Sequence, residues 1–353
     1  MAMACAGSAF AGERSGEEIF NQTCAGCHAT DGKGAPAAST GINLKIIDLT
    51  DCLPTNREPD EDWRAVISEG GPARGFNRMM PAFGEVLTWE EREAVITYTR
   101  GFCQEPAWPR GDLNFPRAMV TEKAFVEDEF VVTAAMATRG ARNVDGKLIY
   151  EQRIFSRQQV EVIVPFGIQK EPGSSRGAGI GDVAMGMKTV LWANLNSGTI
   201  LSLAGEVGLP TGNADKRYGK GVFLFEPFLA LGQRLPWNSF LHFQTGAEIP
   251  LQEKQGVELE GFSRLALGTT FTQKHFGRCW SPMIEAVAFR ELTADAPTLL
   301  DLVPQMQVTL SRRRHVRVSV AATIPTLQRT GRDPQAMVYF LWDWFDGGLF
   351  EAW

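Results

Sequence analysis

The sequence predicts a multidomain chain, with an all-α domain over residues 13–105 followed by an all-β antiparallel meander barrel of about 12 strands over residues 122–353. Three observations predict it. The apolar period switches from 3.6 to 2 after about residue 122. Helix start signals belong to the first part. Alternating segments of about ten residues, the length a tilted membrane-crossing strand needs, recur through the second. A chain of 353 residues can bury two or three cores. Its net charge of −6 gives no reason to expect nucleic acid as a partner. No run of 18 apolar residues exists, which excludes a spanning helix and leaves a barrel open.

Taken in order, residues 1–12 read as the remnant of a secretory signal, with Ala9-Phe10-Ala11 as an A-x-A cleavage site and lipidation at Cys5 as the alternative. Helices are expected at Glu17–Cys24, Glu61–Ser68 and Thr88–Phe102, the last opened by a capping box of Thr88 and Glu91. Residues 106–121 hold three prolines and read as an extended linker.

Strand segments centre on 126–137, 147–155, 159–167, 182–193, 199–209, 222–232, 240–249, 258–271, 280–291, 302–310, 315–324 and 336–345. Each is chemically one-sided. In 240–249, Leu241, Phe243, Thr245, Ala247 and Ile249 oppose His242, Gln244, Gly246 and Glu248. Short connections (156–158, 194–198, 233–239, 311–314) tend to alternate with long ones such as 168–181, 210–221 and 325–335. That is the habit of outer-membrane barrels, whose periplasmic turns are short. An even strand count brings both ends of the barrel to the short-turn side, which puts the helical domain in the periplasm.

Cys24-Ala25-Gly26-Cys27-His28 is the attachment motif for a c-type haem. Two thiols one turn apart reach the two porphyrin vinyl groups, and the imidazole that follows lies under the iron. Phe20, four residues before the first cysteine, and the flexible Asp31-Gly32-Lys33-Gly34 after the histidine fit that use. A zinc site or a redox CxxC are the competing readings, and zinc lacks a second ligand pair at a usable spacing. Cys52 and Cys103 either form a disulfide or stay as two thiols, while Cys279 reads as a small buried residue.

Residues 13–105 resemble class I monohaem cytochromes c, in which the distal methionine sits in a stretch like Met79-Met80-Pro81-Ala82-Phe83-Gly84. The resemblance implies one covalent haem c held by Cys24, Cys27 and His28, with Met80 as sixth ligand and Met79 as the alternative. The competing reading is five-coordinate iron with both methionines against the porphyrin edge. His/Met ligation implies single-electron transfer with no substrate at iron.

The inner face of the barrel is expected to carry Asp182, Lys188, Glu206, Glu226, Glu248, Arg264, Glu285, Arg290 and Arg317, as a salt-bridge network or an ion path. Gly177–Asp182 looks like a dinucleotide loop but lacks a surrounding βαβ unit. Trp342, Trp344 and Trp353 suit an interfacial aromatic girdle.

The C-terminal 230 residues resemble barrels of the MetA pathway of phenol degradation, through patterns such as Gly181-Asp182-Val183-Ala184-Met185-Gly186-Met187-Lys188. The layout is similar to fused cytochrome–porins of iron-oxidising bacteria, with a larger haem domain and fewer strands. These resemblances imply an electron-transfer protein of the outer membrane with its haem domain on the periplasmic side, serving periplasmic electron carriers. The alternatives are a barrel channel or anchor with a tethered haem carrier or redox-sensitive plug, and a soluble periplasmic protein with a β-sandwich docking domain. No hydrolytic triad or catalytic metal motif is present, so an enzyme in its own right is not expected.

Overall fold

A computed structural model of the chain describes residues 14–41, 43–44, 46–105, 107–139, 143–170, 176–214 and 218–353. The signal remnant, with Cys5 and Ala9-Phe10-Ala11, lies outside the described residues.

The first part is helical. α1 (Gly16–Ile19) runs through a π turn at Phe20–Cys24 into α2 (Ala25–His28), so the expected helix Glu17–Cys24 continues to His28. Ser15 and Glu18 form a capping box at its start. α3 (Ala37–Thr40) and α4 (Cys52–Arg57) are short and carried no readable period. α5 (Asp60–Glu69) and α6 (Trp89–Arg100) lie where expected, and Thr88 with Glu91 caps α6. Gly16 lets α1 meet α6 closely, since a Cβ there would sit 2.1 Å from the Ala94 carbonyl oxygen. Ile19, Phe20, Leu49, Leu87 and Val95 form the core, with Phe20 against the rings of Tyr98 and Phe102.

The second part is a closed antiparallel meander. Its strands are β1 (Glu129–Ala137), β2 (Val144–Arg153), β3 (Gln158–Lys170), β4 (Arg176–Ile180 resuming at Ala184–Asn194), β5 (Thr199–Gly208) and β6 (Leu224–Leu235). β7 (Ser239–Pro250), β8 (Glu260–Thr269 resuming at Phe271–Thr272), β9 (Cys279–Glu291), β10 (Leu299–Thr309), β11 (Val316–Leu327) and β12 (Gln335–Asp343) complete it. Both halves of β4 pair with β3, and both halves of β8 with β9, so the wall has 12 strands. β12 pairs with β1 from Glu129↔Asp343 to Ala137↔Gln335, which closes the sheet on itself. A β-sandwich is thereby excluded.

The wall is inside out relative to a soluble protein. Val160, Met185, Leu203, Leu229, Phe243, Ile284 and Val320 are exposed on its outer surface, while Gln159, Lys188, Ser202, His242, Gln244, Glu285 and Ser319 are buried within. The predicted sidedness of 240–249 holds, with the His242 face inward. Arg290 is a correction: it shares parity with exposed Ile284 and faces outward, because the inner positions of β9 are odd-numbered. Connections 154–157, 195–198, 236–238, 273–278 and 310–315 lie at one end with both ends of the barrel chain. At that end Trp192, Trp237, Trp280 and Phe155 are exposed, aromatics the sequence reading had passed over in favour of Trp342, Trp344 and Trp353.

The prolines of 106–121 do mark an extended run, but it is not a free tether. From Leu113 the chain passes inside the barrel, and it stays there to Asp128 before β1 begins. Phe115, Ala118, Ala124 and Phe125 pack on Val190, Ile200, Phe228 and Phe240 of the wall. The turn of this hairpin rests on one carboxylate. Glu285, fully buried near the middle of β9, accepts the backbone N–H groups of Met119 (2.8 Å), Val120 (3.1 Å) and Thr121 (2.7 Å) and the Thr121 hydroxyl (2.6 Å). Gln244 accepts from the Glu122 N–H, Gln159 from the Glu127 N–H, and the Tyr339 hydroxyl donates to the Arg117 carbonyl. A chain in a polar lumen must find partners for its amides, and the wall supplies them.

The strand register also stacks inward carboxylates side by side. Asp343 pairs with Glu129, Glu151 with Glu161, Glu161 with Gly186, Gly186 with Glu206, and Glu206 with Glu226. Glu248 then pairs with Glu260, and Glu260 with Glu291. The resulting ladder winds from the short-turn rim to the far rim. At its start the hairpin supplies the counter-charge, Arg117 to Glu151 (2.6 Å) and Lys123 to Glu129 (3.2 Å).

Replacing Glu285 with Ala should release the hairpin. Four hairpin donors and the Gln305 amide would lose a charged acceptor, at a cost of roughly 3 kcal/mol or more in urea unfolding, and single-channel recordings in planar bilayers should show larger open steps than the parent.

Candidate functional site

Four predicted residues lie in the helical domain. Cys24 and Cys27 are unpaired thiols, half-buried one turn apart where the π turn passes into α2. Burial raises the Cys24 thiol above its usual range. His28 ends α2; burial lowers its pKa, and its buried Nδ1 has no hydrogen-bond partner. After it the chain reverses at Ala29 (φ 57°), and the N–H groups of Gly34 and Ala35 return to the carbonyls of His28 and Cys27. Gly32 (φ 76°) and Gly34 (φ 85°) make that loop possible, and a Cβ at Gly32 would meet the Phe102 ring at 2.9 Å.

Met79 and Met80 differ in setting. Met79 is 50% exposed, whereas Met80 is half-buried in a loop whose carbonyl accepts the Gly71 N–H at 3.0 Å. Gly71 keeps this loop tight, because a Cβ there would lie 2.2 Å from the Asn77 carbonyl oxygen. Phe83 and Gly84 then anchor the loop on Ile67 and Ser68. Two free thiols, an imidazole nitrogen without a protein partner and a sheltered thioether are the donor set of a haem c with His/Met ligation, and the residues fit that group. Cys52 and Cys103 form a disulfide with Cα atoms 5.2 Å apart, tying α4 to the segment after α6. Cys279 is buried at the start of β9, as expected.

The domain is seated on the short-turn rim. Arg57 at the end of α4 is buried between Asp128 and Asp343, and its guanidinium lies 3.9 Å over the Phe345 ring. Burial opposes its charge, yet Asp343, Asp346 and Asp128 hold its pKa above the ordinary guanidinium value. Arg74, only 1% exposed, pairs with Asp62 and donates to the Phe276 carbonyl in the 273–278 turn. Arg314 in the 310–315 turn answers Glu61 at 2.9 Å, and Arg313 donates to the Arg74 and Gly75 carbonyls. None of these roles was readable, since each pair joins residues more than 60 apart in sequence or unmarked by any motif. Beside Arg57, burial and the charges of Asp62 and Asp343 push Glu58 up to about 7. Burial and Glu58 push Asp346 up to about 8.

Residues 11–98 match the family model described as cytochrome C oxidase, cbb3-type, subunit III. Among solved structures, the chain is similar to an outer membrane channel from Pseudomonas putida F1, at 10% identity and a TM-score of 0.49, covering 65% of this chain and 99% of that one. It is also similar to the KdgM porin (8%, TM-score 0.40, 61% and 98%) and the NanC porin (7%, TM-score 0.42, 60% and 97%). No curated protein matches the chain. The chain thus joins a segment that matches a cytochrome family model to a closed antiparallel barrel of 12 strands.

Two outcomes follow for the seat and the domain. Glu58 and Asp346 have ordinary values of 4.5 and 3.8, so their contribution is complete below about pH 4 and is lost as pH rises through about 7 to 8. Limited proteolysis at the junction should accelerate from pH 5 to pH 9, and less so in Glu58→Gln. Replacing Cys52 and Cys103 together with Ser opens a loop of sequence separation 51; denaturant unfolding should show the domain weakened by about 4 kcal/mol.

Proposed function

We propose that this chain is an outer-membrane electron-transfer protein, with one haem c attached through Cys24 and Cys27, His28 and Met80 as axial ligands, and the haem domain held at the periplasmic mouth of the barrel. The observation that carries the reading is the seat: a cytochrome c domain bound by buried arginines to the short-turn rim of a barrel with an apolar exterior. An exterior of exposed Met, Leu, Ile and Phe around a polar lumen suits hydrocarbon outside and water inside. Short turns are the periplasmic side of such barrels, so the seat puts the haem within reach of periplasmic electron carriers.

When bound, the haem supplies reversible one-electron chemistry. The protein's share is to hold it. His28 is oriented by the reversal at Ala29, Met80 by the Gly71-anchored loop, and the aromatic cluster of Phe20, Tyr98 and Phe102 keeps the attachment helix rigid. The rim ion pairs fix the domain's orientation, so a partner arriving from solution meets one face. Of the alternatives, an anchor is better supported than an open channel, because 113–128 fills the short-turn half of the lumen. That chain segment, rather than the haem domain, is the plug.

Membrane fractionation with haem staining tests the whole reading. A haem-stained outer-membrane band that shifts on boiling is expected, and staining confined to the soluble periplasm would sink the proposal. Cys24→Ser with Cys27→Ser should abolish the stain. Met80→Ala should lower the midpoint potential and remove the sulfur-to-iron charge-transfer band, whereas Met79→Ala should change neither.

A further inference from the structure

The loop that carries Met80 is held from two sides. Its own domain holds the later part, where Phe83 and Gly84 donate to the carbonyls of Ile67 and Ser68. The earlier part, Arg74 to Phe76, is held by the barrel. Arg313, in the turn between β10 and β11, donates through Nε to the Arg74 carbonyl (3.2 Å) and through Nη2 to the Gly75 carbonyl (3.1 Å). Its guanidinium lies 4.5 Å over the Phe76 ring, and Nη1 donates to the Asp346 carbonyl at 2.6 Å. One planar group thus ties three consecutive loop residues to the chain that follows β12. The Arg74 side chain adds a second tie, donating to the Phe276 carbonyl in the turn between β8 and β9.

The fit is close on the other face as well. Gly75 (φ 70°) packs so tightly against the end of the chain that a Cβ there would lie 2.1 Å from the Ala352 Cβ. The Ala352 carbonyl in turn accepts the Arg312 N–H at 2.6 Å. From this anchored stretch a short run of backbone bonds leads to the thioether. The Phe76 N–H donates to the Gly71 carbonyl (2.9 Å), the Gly71 N–H to the Met80 carbonyl (3.0 Å), and the Met80 N–H to the Asn77 carbonyl (3.2 Å). A loop this small has little slack, so a shift at 74–76 passes to Met80. The Arg313 side chain is only 14% exposed, which shelters its bonds from competing water.

We propose that Arg313 is a positioning residue for the sixth haem ligand: by fixing the Arg74–Phe76 backbone on the barrel rim, it keeps the Met80 loop closed. The barrel is then part of the redox site as well as its anchor. This inference rests on the haem reading above, with Met80 as axial ligand. A thioether is a soft donor and ferric iron a hard acceptor, so the bond lasts in the oxidised state only while the protein presents the sulfur. Freeing 74–76 lets the loop open and a competing ligand take the position.

The test is titration of the purified, haem-loaded ferric protein in detergent with imidazole, which binds iron once the methionine leaves it. Loss of the sulfur-to-iron charge-transfer band is the readout. Because the loop must open first, the apparent affinity follows the open fraction. Arg313→Ala removes two hydrogen bonds from a charged donor and should raise imidazole affinity about tenfold or more. Arg313→Lys keeps the charge but cannot fork to both carbonyls, and should fall between the alanine variant and the parent. Glu351→Gln, which takes away the exposed charge 3.8 Å from Arg313, should match the parent. The boiling shift reports a folded barrel in every variant; if Arg313→Ala fails to assemble, Arg313→Lys decides. Equal imidazole affinity in the parent and the deciding variant overturns the proposal and leaves the haem reading standing. A haem-loaded parent without the charge-transfer band overturns both.

Discussion

The structure depends on the grip of Glu285 on the backbone of Met119, Val120 and Thr121. A barrel whose outer face is apolar must turn its polar residues inward, and buried polar groups need partners. Here many of those partners are the amides and carbonyls of the same chain, folded back into the lumen before it becomes the first strand. The carboxylate receives four donors from the hairpin and a fifth from the Gln305 amide of the wall, which makes it the strongest single hold on the hairpin. Because the hairpin joins the helical domain to β1, this grip also sets where that domain emerges.

The emerging chain meets the rim at Arg57, and the charge arithmetic there is tight. One guanidinium faces Asp128, Asp343 and Asp346, with Glu58 adjacent, so the junction holds more acid than base. Glu58 and Asp346 hold their protons to higher pH than ordinary carboxyls because ionising them would add charge to a covered, already acidic spot. A seat of this kind is rigid and directional. It holds the helical domain so that one face points away from the rim.

The lumen shows the same accounting resolved in two ways. Where the hairpin reaches, Arg117 and Lys123 answer the wall's carboxylates; where it does not, Glu161, Glu206 and Glu226 have no such ion pair among the described residues. The register of an antiparallel meander makes this contrast visible, since one acid on each strand at matched positions becomes a continuous row.

Much of this was determined by the sequence alone. Period-2 alternation located all 12 strands to within a few residues, because an apolar outer face and a polar lumen leave each strand little freedom of face. The Cys24-Ala25-Gly26-Cys27-His28 run carried its chemistry locally, within one helical turn. The Thr88–Glu91 cap was equally local. Arg290 was misplaced because, five residues from inward Glu285 on an unbroken strand, it has the opposite parity. What only the tertiary structure decided is non-local: the closure of β12 on β1, the Cys52–Cys103 bond, the docking of Arg57 and Arg74 on distant turns, and the entry of 113–128 into the barrel. A proline-rich run reads the same in water as in a lumen. Its partners, Glu285 and Gln244, lie more than 120 residues away, and no local pattern encodes them.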